Sequence, residues 1–156
     1  MTKPHFGIEQ VAVIGSGVMG AGIAAHLANA GAEVLLLDIV PNGATDRSQL
    51  ARKAIAAMRK TDPSPIMHSD VLQHIRPGNL EDDLEALRDC DWVIEAILED
   101  PALKQQLYRR IEPLRKPDGI ISSNTSTLQL SALTSDMPDS FRQNFAITHF
   151  FNPPRY

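Results

Sequence analysis

The sequence has 156 residues, a mass of 17.1 kDa, 43% hydrophobic and 22% charged residues, and a formal net charge of −4. That length builds one domain with a sizeable core and leaves little room for a dinucleotide domain joined to a separate substrate domain. The composition excludes disorder, a collagen repeat and a disulfide-rich miniprotein, and the acidic balance offers no basic footprint for nucleic acid. One cysteine, Cys90, makes no internal disulfide and suits a reducing, cytoplasmic compartment. No apolar run approaches the ~20 residues of a membrane helix. The opening MTKPHFGIEQ lacks the apolar core of a signal peptide.

Strand and helix patterns alternate along the chain. The branched apolar run at 11–14 reads as a strand covered on both faces. An Ala-rich stretch at 18–30 follows as a helix, closed by Gly31, which suits a left-handed cap. A second strand is expected at 34–37. A helix over 49–60 would place Leu50, Ala54, Ala57 and Met58 on one face. The stretch TDPSPIMHSD (61–70), with Pro63 and Pro65, reads as loop and is too short to separate domains. A weak extended segment at 73–76 is expected to stop at Pro77-Gly78. The acidic EDDLEALRDCD (81–91) reads as a solvated helix face. A strand is expected at 92–97, with Trp92 in the core. Asp100-Pro101 then opens a helix as N-cap and N1, aligning Leu103, Leu107, Ile111 and Leu114. Strands at 119–122 and 145–148 complete six candidates. This order predicts an α/β fold, a doubly wound parallel sheet with right-handed crossovers.

The strongest motif is VAVIGSGVMG at 11–20. Gly15, Gly17 and Gly20 fit G-x-G-x-x-G, with a strand before and a helix after, as phosphate binding requires. Gly15 permits the tight turn, Gly17 the approach of a pyrophosphate, and Gly20 close helix–strand packing. Together with Val18 and Met19 they form the candidate cofactor-binding loop, whose amides face an anion at the helix start. Asp38 ends the second strand. A carboxylate there accepts from both ribose hydroxyls and repels a 2′-phosphate, favouring NAD over NADP. FAD proteins share this fingerprint.

Three later segments carry chemistry. In DWVIEAILED (91–100), Glu95 and Glu99 follow a strand, at the edge where α/β sheets bind ligands, and either is equally well a surface carboxylate. In ISSNTSTL (121–128), small polar residues follow a strand and contact a ligand or cap a helix. In THFFNPP (148–154), His149 ends a strand and is a candidate general base, although a lone histidine is more often structural. His5, His26, His68 and His74 show no metal-ligand spacing with each other or with Cys90, so no metal is expected. Phe150, Phe151 and Tyr156 read as core or as sticky surface.

In this order and spacing, GSGVMGAGIA, DWVIEAILED with Lys104, SNTS and HFFNP resemble the NAD-binding domain of the L-3-hydroxyacyl-CoA dehydrogenases of fatty acid β-oxidation. PGNLEDD (77–83) and HFFNPPRY (149–156) resemble more particularly large bacterial bifunctional enzymes that pair this domain with an enoyl-CoA hydratase. The resemblance implies a Rossmann NAD(P)-binding fold, NAD as cofactor and a 3-hydroxyacyl-CoA as substrate. His149 matches the catalytic base and Ser126 a serine beside the reacting oxygen. Asn124 and Asn152 match asparagines lining that pocket, and Glu99 and Lys104 match residues that hold the cofactor.

The resemblance also implies what the chain lacks. The family's glutamate that supports His149 would fall after Tyr156. The C-terminal helical domain, with its substrate-contacting asparagine and dimer surface, is absent. The expectation is therefore a dinucleotide-binding domain over 1–156, cut before the family's N-terminal domain ends. It would bind NAD(H) and turn over little, the complete enzyme being a homo-oligomer. Arg52, Lys53, Arg59 and Lys60 sit on the helix that contacts CoA phosphates in the family, or are plain solvated charges. No nucleic acid or membrane partner is expected. Two other readings remain: a different NAD(P)-dependent hydroxy-acid dehydrogenase, and a non-catalytic nucleotide-binding module.

Overall fold

The computed structural model describes residues 7–155, so His5 and Tyr156 lie outside the described residues. Six strands form one parallel sheet: β1 (Gln10–Ile14), β2 (Glu33–Asp38), β3 (Ile75–Asn79), β4 (Trp92–Glu95), β5 (Ile120–Asn124) and β6 (Phe145–Thr148). Their order is β3-β2-β1-β4-β5-β6. The chain leaves β1 in one direction and returns from β4 in the other, so the carboxyl ends of β1 and β4 flank a crevice.

The sheet divides the core into two layers, and the strand period of two decides which residue enters which. Ala12, Ile14, Leu35 and Leu37 face one side, with Leu107, Tyr108, Ile111, Phe141 and Phe145. Val11, Val13, Val34 and Leu36 face the other, with Ile23, Ala24, Ala28, Ala51 and Met58. Helices α1 (Val18–Asn29) and α2 (Gln49–Met58) cover the second face. Helix α3 (Pro101–Ile111), with the short α4 (Leu130–Leu133) and α5 (Asp139–Arg142), covers the first. The sequence reading contained neither α4 nor α5, because one turn each is too short to show a period.

Local chemistry sets the boundaries. Gly31 closes α1 at φ 97°. Asp100 Oδ1 accepts from the amides of Ala102 (2.8 Å) and Leu103 (3.1 Å), so Asp100-Pro101 does start α3. The acidic stretch forms a 3₁₀ segment, Leu84–Asp89, that buries Leu84 and Leu87 and leaves its charges outside.

Three expectations are corrected. β3 does not stop at Pro77-Gly78 but runs through them. It is the edge strand, where a missing N–H is tolerated, and a Cβ at Gly78 would meet Leu37 Cδ2 and Asp83 Oδ2 at 2.8 Å. Helix α2 buries Ala51 and Met58, with Ala54 and Ile55 against the core, while Ala57 is exposed. On α3, Leu103 is exposed and Lys104 is buried in the line with Leu107, Tyr108 and Ile111. Loop 61–70 stays with the domain: Asn29 Nδ2 donates to the Pro65 carbonyl and Asn29 Oδ1 accepts from the Met67 amide. Trp92 is partly buried and donates Nε1–H to Ser122 Oγ (3.0 Å).

Behind the site, Asp91 ties the amino ends of the strands together. It accepts from the Glu9 amide (2.8 Å) and Gln10 amide (3.0 Å) and pairs with Lys116 (2.7 Å). Lys116, then the Gln10 and Glu9 amides, hold its carboxyl down to about 2. A carboxyl lowered in the folded state stabilises fully above its unfolded value of about 4, and that stabilisation fades as pH falls through the folded value. Asp91→Asn is therefore expected to destabilise the chain at neutral pH. Its urea midpoint should converge on that of the wild type as pH drops from about 4 towards about 2. A constant gap at every pH would remove the ionised carboxylate from the account.

Candidate functional site

The glycine loop leaves β1 and enters α1. Gly15 has φ 104°, and a Cβ there would stand 2.5 Å from the Ala96 carbonyl oxygen. A Cβ at Gly20 would stand 1.7 Å from the Gly15 carbonyl oxygen. Both glycines are thus required by the protein's own backbone. Gly17 differs: nothing lies within 4 Å of a Cβ built there. The space it leaves opens outward, at the start of α1. The first-turn amides of Val18, Met19 and Gly20 have no helical carbonyl upstream to bond. A cradle that a Cβ would fill, lined with free donors, fits a pyrophosphate.

Asp38 ends β2 beside this loop. Its Oδ2 accepts from the Ser16 amide (2.7 Å) and the Ser16 hydroxyl, and Oδ1 accepts from the Ile39 amide (2.7 Å). The carboxylate therefore holds the loop as well as facing the groove. The groove itself has a volume of about 580 Å³ between the two halves of the sheet. Gly15, Gly17 and Asp38 line it, with Ile39, Leu98 and Leu103 as exposed apolar walls. Ile39 and Leu98 are absent from the sequence reading, which sets Leu103 on the apolar line of α3, since an exposed apolar residue has no signal of its own until a concave surface surrounds it. A groove with apolar walls beside a carboxylate fits an adenosine in size and chemistry.

Asp38→Ala is expected to weaken NADH by about tenfold, since both the ribose bond and the Ser16 tether are lost. NADPH should lose less, because only the tether is common to both cofactors. Fluorescence titration of each cofactor checks this, and equal losses would reduce Asp38 to a structural cap.

On the other side of β1, strands β4, β5 and β6 lead into Glu99, Ser126 and His149. His149 follows β6, and its Nε2 lies 2.9 Å from Ser126 Oγ in the loop after β5. Both are exposed, and the His149 ring rests against Phe151 at 5.0 Å between centroids. Asn124 Oδ1 accepts from the Phe150 amide (2.9 Å), which docks the histidine segment on β5. Phe150 packs partly into the core and reaches His26, while Phe151 is exposed. Asn152 lies with Gly17 and Val18 at a second cavity of about 320 Å³ between α1, α2 and the segment 152–155.

Glu95 and Glu99 prove very different. Glu95 is 0% exposed. Its Oε1 accepts from Lys104 Nζ (2.6 Å) and the Ile97 amide (2.8 Å), and its Oε2 from Tyr108 (2.7 Å) and Ser123 (2.6 Å). Glu99 is exposed at the rim and accepts from Thr125 and Thr127 hydroxyls, with Lys104 at 3.4 Å. Burial works to raise the Glu99 carboxyl, but Thr125, Lys104 and Thr127 together hold it below the usual range. Lys104 itself is 0% exposed, so its ammonium meets Glu95 and Glu99 rather than the groove. Thr125 also caps the loop, accepting from the Thr127 and Leu128 amides. Among the described residues no group of three or more His, Cys, Asp or Glu is gathered to hold a metal.

The chain matches the family model for the NAD binding domain of 3-hydroxyacyl-CoA dehydrogenase over residues 10–156. It is 50% identical to a Rickettsia felis protein assigned as a fatty acid oxidation complex trifunctional enzyme, across 96% of this chain and 21% of that protein. It is 43% identical to a Bacillus subtilis protein assigned as a 3-hydroxyacyl-CoA dehydrogenase, across 97% of this chain and 21% of that one. It thus spans about a fifth of either relative's length. The crystal structure of 3-hydroxybutyryl-CoA dehydrogenase from Escherichia coli superposes with a TM-score of 0.76 at 29% identity, covering 94% of this chain and 30% of that one. With the glycine cradle and the acid that ends β2 lining one crevice, and with the family model matched over nearly the whole chain, the chain belongs to the family of NAD-binding domains of 3-hydroxyacyl-CoA dehydrogenases.

Proposed function

We propose that this domain serves the NAD-dependent oxidation of (S)-3-hydroxyacyl-CoA to 3-oxoacyl-CoA in fatty acid oxidation. The observation that carries it is the 2.9 Å pair of His149 Nε2 and Ser126 Oγ at the carboxyl edge of the sheet whose β1 exit carries the glycine loop. Gly17 and the first turn of α1 hold the pyrophosphate, Asp38 the adenosine ribose, and Glu99 the nicotinamide half. NAD, when bound, supplies the acceptor for the hydride leaving C3 of the substrate. His149 Nε2 takes the proton of the 3-hydroxyl, so the carbon loses two electrons and the oxygen one proton. Ser126 hydrogen-bonds the same oxygen and holds it against the imidazole. Asn124 acts through the Phe150 amide, keeping the histidine segment on β5.

The names of the relatives support this reading, as does the contact of His149 with Ser126 past the carboxyl ends of β6 and β5. No helix among the described residues is long and apolar enough to cross a membrane. Cys90 forms no disulfide, which fits a reducing, cytoplasmic compartment, and burial, then Asp89 and Asp91, pushes its thiol up to about 11. The test is NADH formation from (S)-3-hydroxybutyryl-CoA by the protein as its organism makes it. Binding of NADH without any turnover of a 3-hydroxyacyl-CoA would reduce the domain to a nucleotide-binding module.

A further inference from the structure

A fully buried ion pair needs a reason, because replacing it with apolar side chains is often neutral or stabilising. Glu95 and Lys104 are both without exposure, and no substrate or cofactor atom could touch either in this structure. Their bonds show what the pair does. The Glu95 carboxylate receives four donors from three different pieces of the site. The Ile97 amide belongs to the turn that leads from β4 to Glu99. Ser123 belongs to β5, immediately before Asn124, Thr125 and Ser126. Lys104 and Tyr108 come from adjacent turns of α3. Lys104 then reaches onward to Glu99 at 3.4 Å. Burial, then the Glu95 charge, pushes the Tyr108 phenol far above its ordinary range, so it stays a neutral donor.

We propose that Glu95 and Tyr108 are positioning residues for the cofactor: they fix Lys104 and the β4 exit so that Glu99 stands on the nicotinamide side of the crevice. Glu99 is the only carboxylate of the cluster at the rim, so the network acts on a dinucleotide through it. The inference rests on the dinucleotide reading of the crevice. It adds that the two halves of NAD are held separately. The adenosine half depends on Asp38 and the glycine loop, and the nicotinamide half on a buried cluster behind β4.

The experiment compares NADH with ADP, which carries the adenosine half alone, by calorimetric titration of the 156-residue chain. Tyr108→Phe removes one hydroxyl and keeps the ring against Phe141 (5.7 Å) and Phe145 (5.3 Å). It should weaken NADH by about fivefold and change ADP by less than about twofold. Glu95→Gln should weaken NADH further with the same indifference of ADP. If Glu95→Gln fails to fold, Tyr108→Phe decides alone. In a Glu99→Ala background, Tyr108→Phe should add no further loss, because the two act along one chain of contacts. Equal weakening of NADH and ADP, no weakening of either, or independent multiplication of the Tyr108 and Glu99 effects would each overturn the proposal. A wild-type chain that binds neither NADH nor ADP would overturn the dinucleotide reading itself.

Discussion

Gly17→Ala should leave the fold standing and lose NADH by on the order of a hundredfold, about 2.7 kcal/mol. Gly17 sits at φ −66° and ψ −173°, extended backbone that alanine adopts without strain. No protein atom lies within 4 Å of the new Cβ. Alanine is a poorer N-cap than glycine, by roughly 0.5–1 kcal/mol. It also restricts the unfolded chain, which offsets that loss. Thermal unfolding should therefore shift by only a few degrees. The methyl group instead occupies the space where a pyrophosphate meets the first-turn amides. Gly15→Ala and Gly20→Ala should behave differently, losing stability together with binding, because their Cβ atoms meet backbone carbonyls at 2.5 Å and 1.7 Å. Melting curves set beside NADH titrations of the three variants separate the roles. A Gly17→Ala chain that still bound NADH normally would take the pyrophosphate away from this cradle.

That separation shows where the sequence is informative and where it stops. The G-x-G-x-x-G spacing, the strand before it and the acid at 38 identify the dinucleotide half, because each is a local requirement of one turn. The alternating strands and helices likewise give the six strands, since a parallel sheet buries both faces of its strands. Beyond that the signals are contacts between distant residues. Glu95 and Glu99 look alike in DWVIEAILED, yet Glu95 is sealed under α3 and Glu99 stands at the rim. Lys104 looks like a cofactor ligand beside Glu99, but its ammonium is turned inward because Glu95 waits there, nine residues earlier. Pro77 looks like a strand breaker only if β3 is central; on the edge it is harmless. Ser16 shows no motif at all, and it nonetheless fastens the glycine loop to Asp38. What is hidden is which polar group pairs with which, and pairing across the sheet leaves no period in the chain.

His149→Gln should lower kcat for oxidation of (S)-3-hydroxybutyryl-CoA by about a thousandfold, within the range of general base catalysis. Glutamine keeps a polar group of similar reach near Ser126 but cannot accept and release the hydroxyl proton. The ring's polar and aromatic partners are Ser126 and Phe151, so NADH affinity should change by less than about threefold. Ser126→Ala should cost less, about tenfold to a hundredfold, because it removes one hydrogen bond to the reacting oxygen and leaves the base in place. The two losses should not multiply in the double variant. Ser126 can help only by presenting the oxygen to Nε2, 2.9 Å away, and without the imidazole there is nothing to present it to. Stopped-flow measurement of NADH formation, alongside equilibrium NADH titration, gives both quantities. If His149→Gln retained its kcat, the base would have to be sought elsewhere on the crevice. Glu99, at the rim after β4, is a titratable group to test next, its carboxyl held below the usual range by Thr125, Lys104 and Thr127 against the effect of burial. A carboxylate held below its usual range is a weaker base than an imidazole at neutral pH, so such a site would run slower. Histidine at the end of β6 is the residue whose chemistry fits the position.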